Sequence, residues 1–178
     1  MHVTLRAGLG CLRRQVVARV VLSALRDSNR CWFRVVHYSV QSNHVHLIVE
    51  AEDKAALSRG MQGLLISAGK RLNKQIRHKG CVFPDRYYAE IIGSPRQARH
   101  ALAYVLNNWR RHRQDAQAVA KLDPYASGIA FNGWAQRVRF RVPDGYAPLP
   151  VSAPRTQLLV FDWQQFERID LYEQPTAT

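Results

Sequence analysis

The chain has 178 residues, 47% of them hydrophobic, a size and composition that suit one packed domain, or one domain with a tail. No apolar run is long enough to cross a bilayer, no secretory signal is visible, and the three cysteines form neither a CxxC pair nor a disulfide framework. We therefore expect a cytoplasmic protein with no membrane partner. Lys and Arg number 26 against 13 Asp and Glu, and the net charge of +13 favours a polyanionic partner, most often nucleic acid.

The first half of the chain predicts a strand, a helix and a hairpin. Residues 2–7, HVTLRA, predict a short first strand, and the apolar residues of 12–25 recur at helical spacing. Residues 31–41 are β-branched and aromatic and predict a second strand. The stretch 42–50, SNHVHLIVE, predicts the returning strand, and the short connection 41–43 joins the two strands in a hairpin.

The second half predicts two helices separated by a strand. Apolar residues fall on one stripe from Lys54 to Lys79, and we expect Gly80 to end this second helix. Residues 82–92 predict a fourth strand. A third helix begins after Ser94, a suitable N-cap, and extends to about His112.

The order β-α-β-β-α-β-α predicts an α+β fold. Its first six elements match the ferredoxin-like β-α-β-β-α-β arrangement, in which two helices cover one face of a four-stranded antiparallel sheet. The third helix is then available to cover the open face. Prolines and glycines recur after Asp115, where the periodicity weakens. We therefore predict a domain over residues 1–114 and an irregular C-terminal extension with short elements over residues 115–178.

Two histidines lie two residues apart in the predicted third strand. Successive strand side chains point to opposite faces, so His44 and His46 share one face. Val45, Leu47 and Val49 share the other face, which we expect to pack on the helices. Both imidazoles then lie on the open face. Two neutral imidazoles can bind a divalent metal, but a catalytic metal needs a third protein ligand.

A tyrosine in the third helix completes a candidate constellation. Tyr104 lies about 130° from the centre of that helix's apolar stripe, and Asn108 lies one turn later on the same side. Both meet the two histidines if this helix crosses the open sheet face. Tyr104 is then a candidate nucleophile toward a phosphodiester. His44, His46 and the side-chain oxygen of Asn108 are candidate ligands of a divalent ion, which would polarise the phosphate.

These residues lie within segments that resemble the HUH-type single-tyrosine transposases of the smallest bacterial insertion sequences. Within that family the chain is most similar to the REP-associated tyrosine transposases. The resemblance covers roughly residues 2–114, and its matching segments are HVTLRA at 2–7, VHYSVQSNHVHLIVEA at 36–51, CVFPDRYYAEII at 81–92 and ALAYVLNNWRRH at 101–112. The last segment lacks the Asn-Pro break that is common in REP-associated members.

The resemblance implies a transposase whose catalytic domain is residues 1–114 and whose substrate is single-stranded DNA, often recognised beside a hairpin. It implies that Tyr104 attacks the phosphate and becomes linked to the 5′ end, freeing a 3′-OH. His44 and His46 correspond to the family's metal-binding pair, and Asn108 to its third ligand, with Mg²⁺ or Mn²⁺ as cofactor. It also implies association with the bacterial nucleoid, and it leaves open a homodimer in which the tyrosine crosses between subunits.

Cations and rings outside this constellation are candidates for contact with DNA. Aromatic rings that could stack on unpaired bases are Tyr87, Tyr88, Trp109 and Trp134. Tyr87 and Tyr88 are also rival nucleophiles, ranked below Tyr104 because neither has a polar partner at helical spacing. The basic residues predicted to contact the DNA are Lys70, Arg71, Lys74, Arg77, Arg86, Arg110 and Arg111.

Two alternative functions share these features. A non-cleaving relative would hold structured single-stranded DNA or RNA with the same charge and fold, but it would have no need of an intact tyrosine, histidine and asparagine set. A rolling-circle replication initiator would share the chemistry, but the short chain lacks a helicase-like region. The sequence therefore favours a strand-joining transposase.

Overall fold

The computed structural model describes residues 1–116, 121–136 and 149–176. Its first part follows the predicted element order. The elements are β1 (His2–Arg6), α1 (Gln15–Ser28), β2 (Phe33–Val40), β3 (His44–Ala51), α2 (Lys54–Ile76), β4 (Tyr88–Glu90) and α3 (Pro95–Arg111). The C-terminal extension adds a 3₁₀ turn at Ser127–Ala130, a short helix α4 at Gln157–Val160 and a second 3₁₀ turn at Asp162–Gln165. The predicted α+β fold is confirmed.

The four strands form one antiparallel sheet in the order β2-β3-β1-β4. This is the strand order of the predicted ferredoxin-like arrangement. The two central strands, β3 and β1, are paired so that Thr4 lies directly opposite His46. Directly opposed residues of antiparallel strands share a face, so β1 contributes side chains to the surface that carries the histidines.

One face of the sheet packs against α1 and α2. Val45, Leu47 and Val49 lie in this core, which confirms the predicted inward set of β3. Helix α2 passes close to the sheet at Gly60, where an added Cβ would lie 2.2 Å from the ring of Phe33. Only glycine permits that contact without displacement of the helix.

The other face is covered by α3 and by the C-terminal extension, which together bury a second core. Ile48 of β3 and Val36 of β2 contribute to this core. A β-bulge shifts the register of β2 between Val35 and His37, so Val36 and the ring of His37 both face the extension. The open sheet face of the sequence prediction is therefore occupied by the third helix, as expected.

Three predicted boundaries differ from the structure. The second helix ends at Ile76 rather than at Gly80, because Arg77 adopts the left-handed conformation (φ 52°) and caps it. The strand predicted over residues 82–92 is reduced to β4, since only three of its residues pair with β1 and Pro84 supplies no donor. Helix α1 begins at Gln15, three residues later than predicted, and extends to Ser28.

Buried polar contacts fasten the extension to the body. Arg13 makes two 2.8 Å hydrogen bonds to the buried carboxylate of Asp123 and a third to a backbone carbonyl of β2. Glu50 of β3 pairs with Arg34 and accepts hydrogen bonds from the backbone and hydroxyl of Thr156. Burial opposes ionisation of Glu50, but these hydrogen bonds hold its pKa below the ordinary value.

Parts of the predicted extension, residues 117–120, 137–148 and 177–178, lie outside the described residues. The described parts contain only short elements, as predicted. Within the described ranges, no helix has the length and apolar character needed to cross a membrane.

Candidate active site

The two histidines of β3 lie beneath helix α3. Their ring centroids are 4.6 Å apart, with the planes nearly perpendicular. His46 is buried, while His44 is partly exposed at the start of the strand. Burial, followed by repulsion from the protonated forms of His44 and His2, lowers the pKa of His46 to about 2. Burial and the nearby His112 lower the pKa of His44. Both rings are therefore neutral at pH 7, the form that binds metals.

One nitrogen of His46 is engaged and the other is free. Nδ1 lies 3.1 Å from Thr4 Oγ1 and 3.2 Å from His2 Nε2, both on the adjacent strand β1. Nε2 is buried and has no hydrogen-bond partner among the described residues. A proton on Nδ1 satisfies the contacts to β1 and leaves the Nε2 lone pair available. At His44, Nδ1 similarly lies 2.7 Å from Asn43 Oδ1.

Helix α3 brings the predicted tyrosine to these rings. Ser94 caps the helix by accepting a hydrogen bond from the backbone of Gln97, and Pro95 fits the first turn. The half-buried ring of Tyr104 stands edge-on to His46 at a centroid distance of 5.0 Å. The guanidinium carbon of Arg111 lies 5.7 Å from the centre of the tyrosine ring.

Asn108 lies one turn after Tyr104 and is completely buried. Neither its amide oxygen nor its amide nitrogen has a hydrogen-bond partner in the described part of the chain. Buried polar side-chain atoms are rarely left unpaired in folded proteins, because desolvation without a partner costs about 1–3 kcal/mol per group. The amide oxygen of Asn108 is therefore a candidate ligand of the predicted metal ion.

The unpartnered atoms fit a divalent cation. An imidazole nitrogen and an amide oxygen are both metal donors, and neutral ligands of this mixed kind suit Mn²⁺ or Mg²⁺ with further oxygens from a phosphate. Across the described ranges, no group of three or more His, Cys, Asp or Glu side chains is placed to hold a metal. The ligand set of two histidines and an asparagine that the sequence suggests stays a prediction.

Three residues near this site were missed by the sequence analysis. His2 and Thr4 contact His46, and the ring of His112 lies 5.7 Å from that of His44. Burial, followed by the chain's N-terminal ammonium group, lowers the pKa of His2 to about 4. The alternation of His2 and Thr4 in HVTLRA was a usable indication, because a strand places both on one face.

The predicted DNA contacts fall into separate groups. Lys70, Lys74 and Arg77 are exposed on α2, across the sheet from the histidines. The last two line an open groove of about 770 Å³ between α1 and α2, together with Arg71, which also pairs with Asp27. Arg86 is exposed before β4.

Arg110 does not fit its predicted role as a DNA contact. Its side chain is buried and donates to the carbonyls of Leu171 and Lys121 and to the carboxylate of Asp115. Every guanidinium nitrogen is thereby engaged within the protein. Arg111, the next residue, is exposed beside Tyr104.

Two of the four candidate stacking rings are likewise in the core. Trp109 is 1% exposed and Trp134 is 5% exposed, so neither can receive a base. Tyr87 is half-buried against the α1–α2 core. Tyr88 is 66% exposed, and it lies opposite Thr4, on the sheet face that carries the histidines.

Comparison with models of known protein families gives a match. A family model described as "Transposase IS200 like" matches residues 11–108, which is more than half of the chain. The matched range contains both histidines, Tyr104 and Asn108, while strand β1 lies before it. Searches of curated proteins and of solved structures gave no significant match.

Proposed function

The chain belongs to the IS200-like transposase family, and we propose that it nicks and rejoins single-stranded DNA through a covalent 5′-phosphotyrosine intermediate. Family membership indicates transposase function and strand transfer on DNA in general. The finer proposal rests on one observation: Tyr104 packs edge-on to a histidine whose buried Nε2 has no hydrogen-bond partner among the residues that the structure describes. Within the family, the segments quoted above favour a REP-associated member.

In the proposed reaction, Tyr104 is the nucleophile. Its phenol oxygen forms a bond to the scissile phosphorus, and the bond from phosphorus to the 3′ oxygen breaks. The proton lost by the phenol is balanced by the proton gained by the departing 3′ oxygen. The strand then ends in a 3′-OH, and the 5′ phosphate is held on the tyrosine. A 3′-OH that attacks this phosphotyrosine restores a phosphodiester and frees the enzyme.

The remaining residues bind and orient the substrate. His44, His46 and the amide oxygen of Asn108 would hold Mg²⁺ or Mn²⁺, which when bound neutralises and polarises the scissile phosphate. Members of this family are generally metal-dependent. The exposed guanidinium of Arg111 stands beside the tyrosine ring, where it can pair with a phosphate oxygen.

A single chain would supply the whole site. The ring contacts of Tyr104 are with His2 and His46 of its own sheet, at 5.4 and 5.0 Å. The described extension packs on the far side of α3 and supports this position. We therefore propose that residues 1–114 form the catalytic unit, that the described residues of the extension support α3, and that any dimer would keep each tyrosine with its own histidines.

We place the paired part of a hairpin in the basic groove between α1 and α2. Four cations line this groove, namely Arg19, Arg71, Lys74 and Arg77. Clustered cations bind the phosphates of a stem without regard to sequence, and the affinity falls with salt. Lys74→Glu with Arg77→Glu is expected to weaken binding of a hairpin oligonucleotide about tenfold or more at low salt. Cleavage of an unpaired oligonucleotide should be unaffected.

The covalent intermediate provides the test. Single-stranded oligonucleotides copied from the DNA that flanks the gene, labelled on the 3′ side of the expected nick, are incubated with the protein and Mn²⁺. A labelled protein band on a denaturing gel is expected, absent with chelator and absent from Tyr104→Phe. Tyr88→Phe is the matched control and should retain the band. Tight binding without any band would favour the non-cleaving binding protein instead.

A further inference from the structure

Strand β1 lies beside the candidate site but outside the range matched by the family model. It is a central strand, paired with β3 on one side and with β4 on the other. Its position is therefore fixed on both edges by the sheet. Thr4 faces His46 directly across the β1–β3 pair, and the ring of His2 reaches the same histidine.

We propose that Thr4 and His2 are positioning residues that hold the His46 ring with Nδ1 engaged and Nε2 free for the metal. The inference rests on the proposed metal-dependent reaction. Both contacts converge on Nδ1, at 3.1 and 3.2 Å. A ring that is held at one nitrogen presents the other, in a fixed tautomer and orientation.

His2 also braces the nucleophile. The centroid of its ring lies 5.3 Å from that of His46 and 5.4 Å from that of Tyr104, so the His2 ring contacts both rings. The side chain is 7% exposed, which shields this corner from solvent. Neither His2 nor Thr4 needs to touch the substrate to have this effect. They act through the orientation of His46 and of the tyrosine ring.

The test separates positioning from folding. Thr4→Val removes the hydroxyl at nearly constant volume, Thr4→Ser keeps it, and His2→Phe keeps a ring without nitrogens. The tautomer of His46 is measured in the metal-free protein from the ¹⁵N shifts of its imidazole. Mn²⁺ affinity is measured separately, and thermal melting verifies that each variant folds.

We expect wild-type His46 to carry its proton on Nδ1 alone, and Thr4→Val with His2→Phe to give a mixture of tautomers. Mn²⁺ affinity should fall about 10–100-fold in that double variant and recover in Thr4→Ser with native His2. An unchanged His46 tautomer together with an unchanged Mn²⁺ affinity in the double variant would overturn the proposal. If the double variant does not fold, the same two results in Thr4→Val alone would overturn it. A wild-type protein that binds no Mn²⁺ would instead contradict the proposed function, while the tautomer still decides whether β1 positions His46.

Discussion

Asn107 and Asn108 are consecutive residues of α3, both are buried, and the structure treats them in opposite ways. Asn107 donates from its amide to the carbonyl of Asp170 at 2.8 Å, which fastens the helix to the C-terminal extension. Asn108 lies one helical turn after Tyr104, and neither of its amide atoms has a partner among the described residues. The same residue type thus anchors the helix at one position and, at the next, has amide atoms without hydrogen-bond partners in the described part of the chain.

The difference extends to the neighbouring arginines. Arg110, on the extension side, has every nitrogen engaged, whereas Arg111, on the site side, is exposed beside Tyr104. Helix α3 therefore carries two polar surfaces with different purposes. On the extension side these polar groups have protein partners, and the unpartnered groups on the other side are candidates to bind a ligand. This contrast makes the site testable by matched pairs of variants.

The largest expected effect concerns where the site is assembled. If each chain supplies its own tyrosine, a mixture of Tyr104→Phe and His46→Ala proteins should form no covalent adduct with a labelled oligonucleotide, because neither chain has a complete site. Each variant is first measured alone. Adduct recovered in the mixture, on the His46→Ala chain, would show that the tyrosine reaches another chain's histidines and would contradict the single-chain site.

The adjacent asparagines should respond in opposite directions. Asn108→Ala is expected to lower Mn²⁺ affinity about 100-fold while leaving the free energy of unfolding unchanged or slightly increased, since it deletes an unpaired amide. Asn107→Ala should cost about 1–2 kcal/mol of stability through the lost hydrogen bond and leave Mn²⁺ affinity intact. Calorimetric titration and urea unfolding measure both quantities. Equal changes of Mn²⁺ affinity and of unfolding free energy in the two variants would contradict the distinction between the two sides of α3.

The arginine pair gives a second contrast. Arg110→Met should destabilise the protein by about 3 kcal/mol, because Asp115 and two buried carbonyls lose their partner. Arg111→Met should change stability by less than about 0.5 kcal/mol. It should, however, reduce the rate of adduct formation about tenfold if the guanidinium pairs with the phosphate. A larger reduction in the rate of adduct formation in a folded Arg110→Met protein than in Arg111→Met would reverse the assignment.

The smallest expected effect is the loss of folding stability at low pH that comes from His37, which faces the extension. Burial lowers the pKa of His37 to about 4, below the ordinary 6.5 that it regains on unfolding. The unfolded chain therefore binds more protons, and the stability contributed above pH 6.5 is lost as pH falls toward 4. Between pH 7 and 4.5 this histidine accounts for about 2 kcal/mol. His37→Gln should reduce the measured loss of stability by that amount, and an unchanged loss would contradict it.

Much of the site follows from local sequence periodicity. The alternation of β3 is enough to place His44 and His46 on one face, and helical spacing is enough to place Tyr104 and Asn108 on one side of α3. Other contacts are not local. Arg13 and Asp123 are 110 residues apart in the chain, and Arg110 and its partner Leu171 are 61 residues apart. Such contacts depend on how distant segments pack.

The supporting residues were missed for a similar reason. Thr4 becomes a neighbour of His46 only through the register of strands that lie 42 residues apart in the chain. The bulge in β2 and the left-handed cap at Arg77 are also set by tertiary packing, so neither the exact faces of β2 nor the end of α2 could be predicted from composition. The sequence pattern points to the candidate site residues more readily than to the residues that contact and orient them.

The central claim, that Tyr104 is the nucleophile, is tested most directly by locating the adduct. After reaction with an oligonucleotide and Mn²⁺, the protein is treated with nuclease and trypsin, and the peptides are analysed by mass spectrometry. Trypsin releases Tyr104 as the only tyrosine of residues 100–110, and it releases Tyr87 and Tyr88 together in residues 87–96. We expect a nucleotide phosphate on the first peptide. A nucleotide on the second peptide, or on neither, would contradict it.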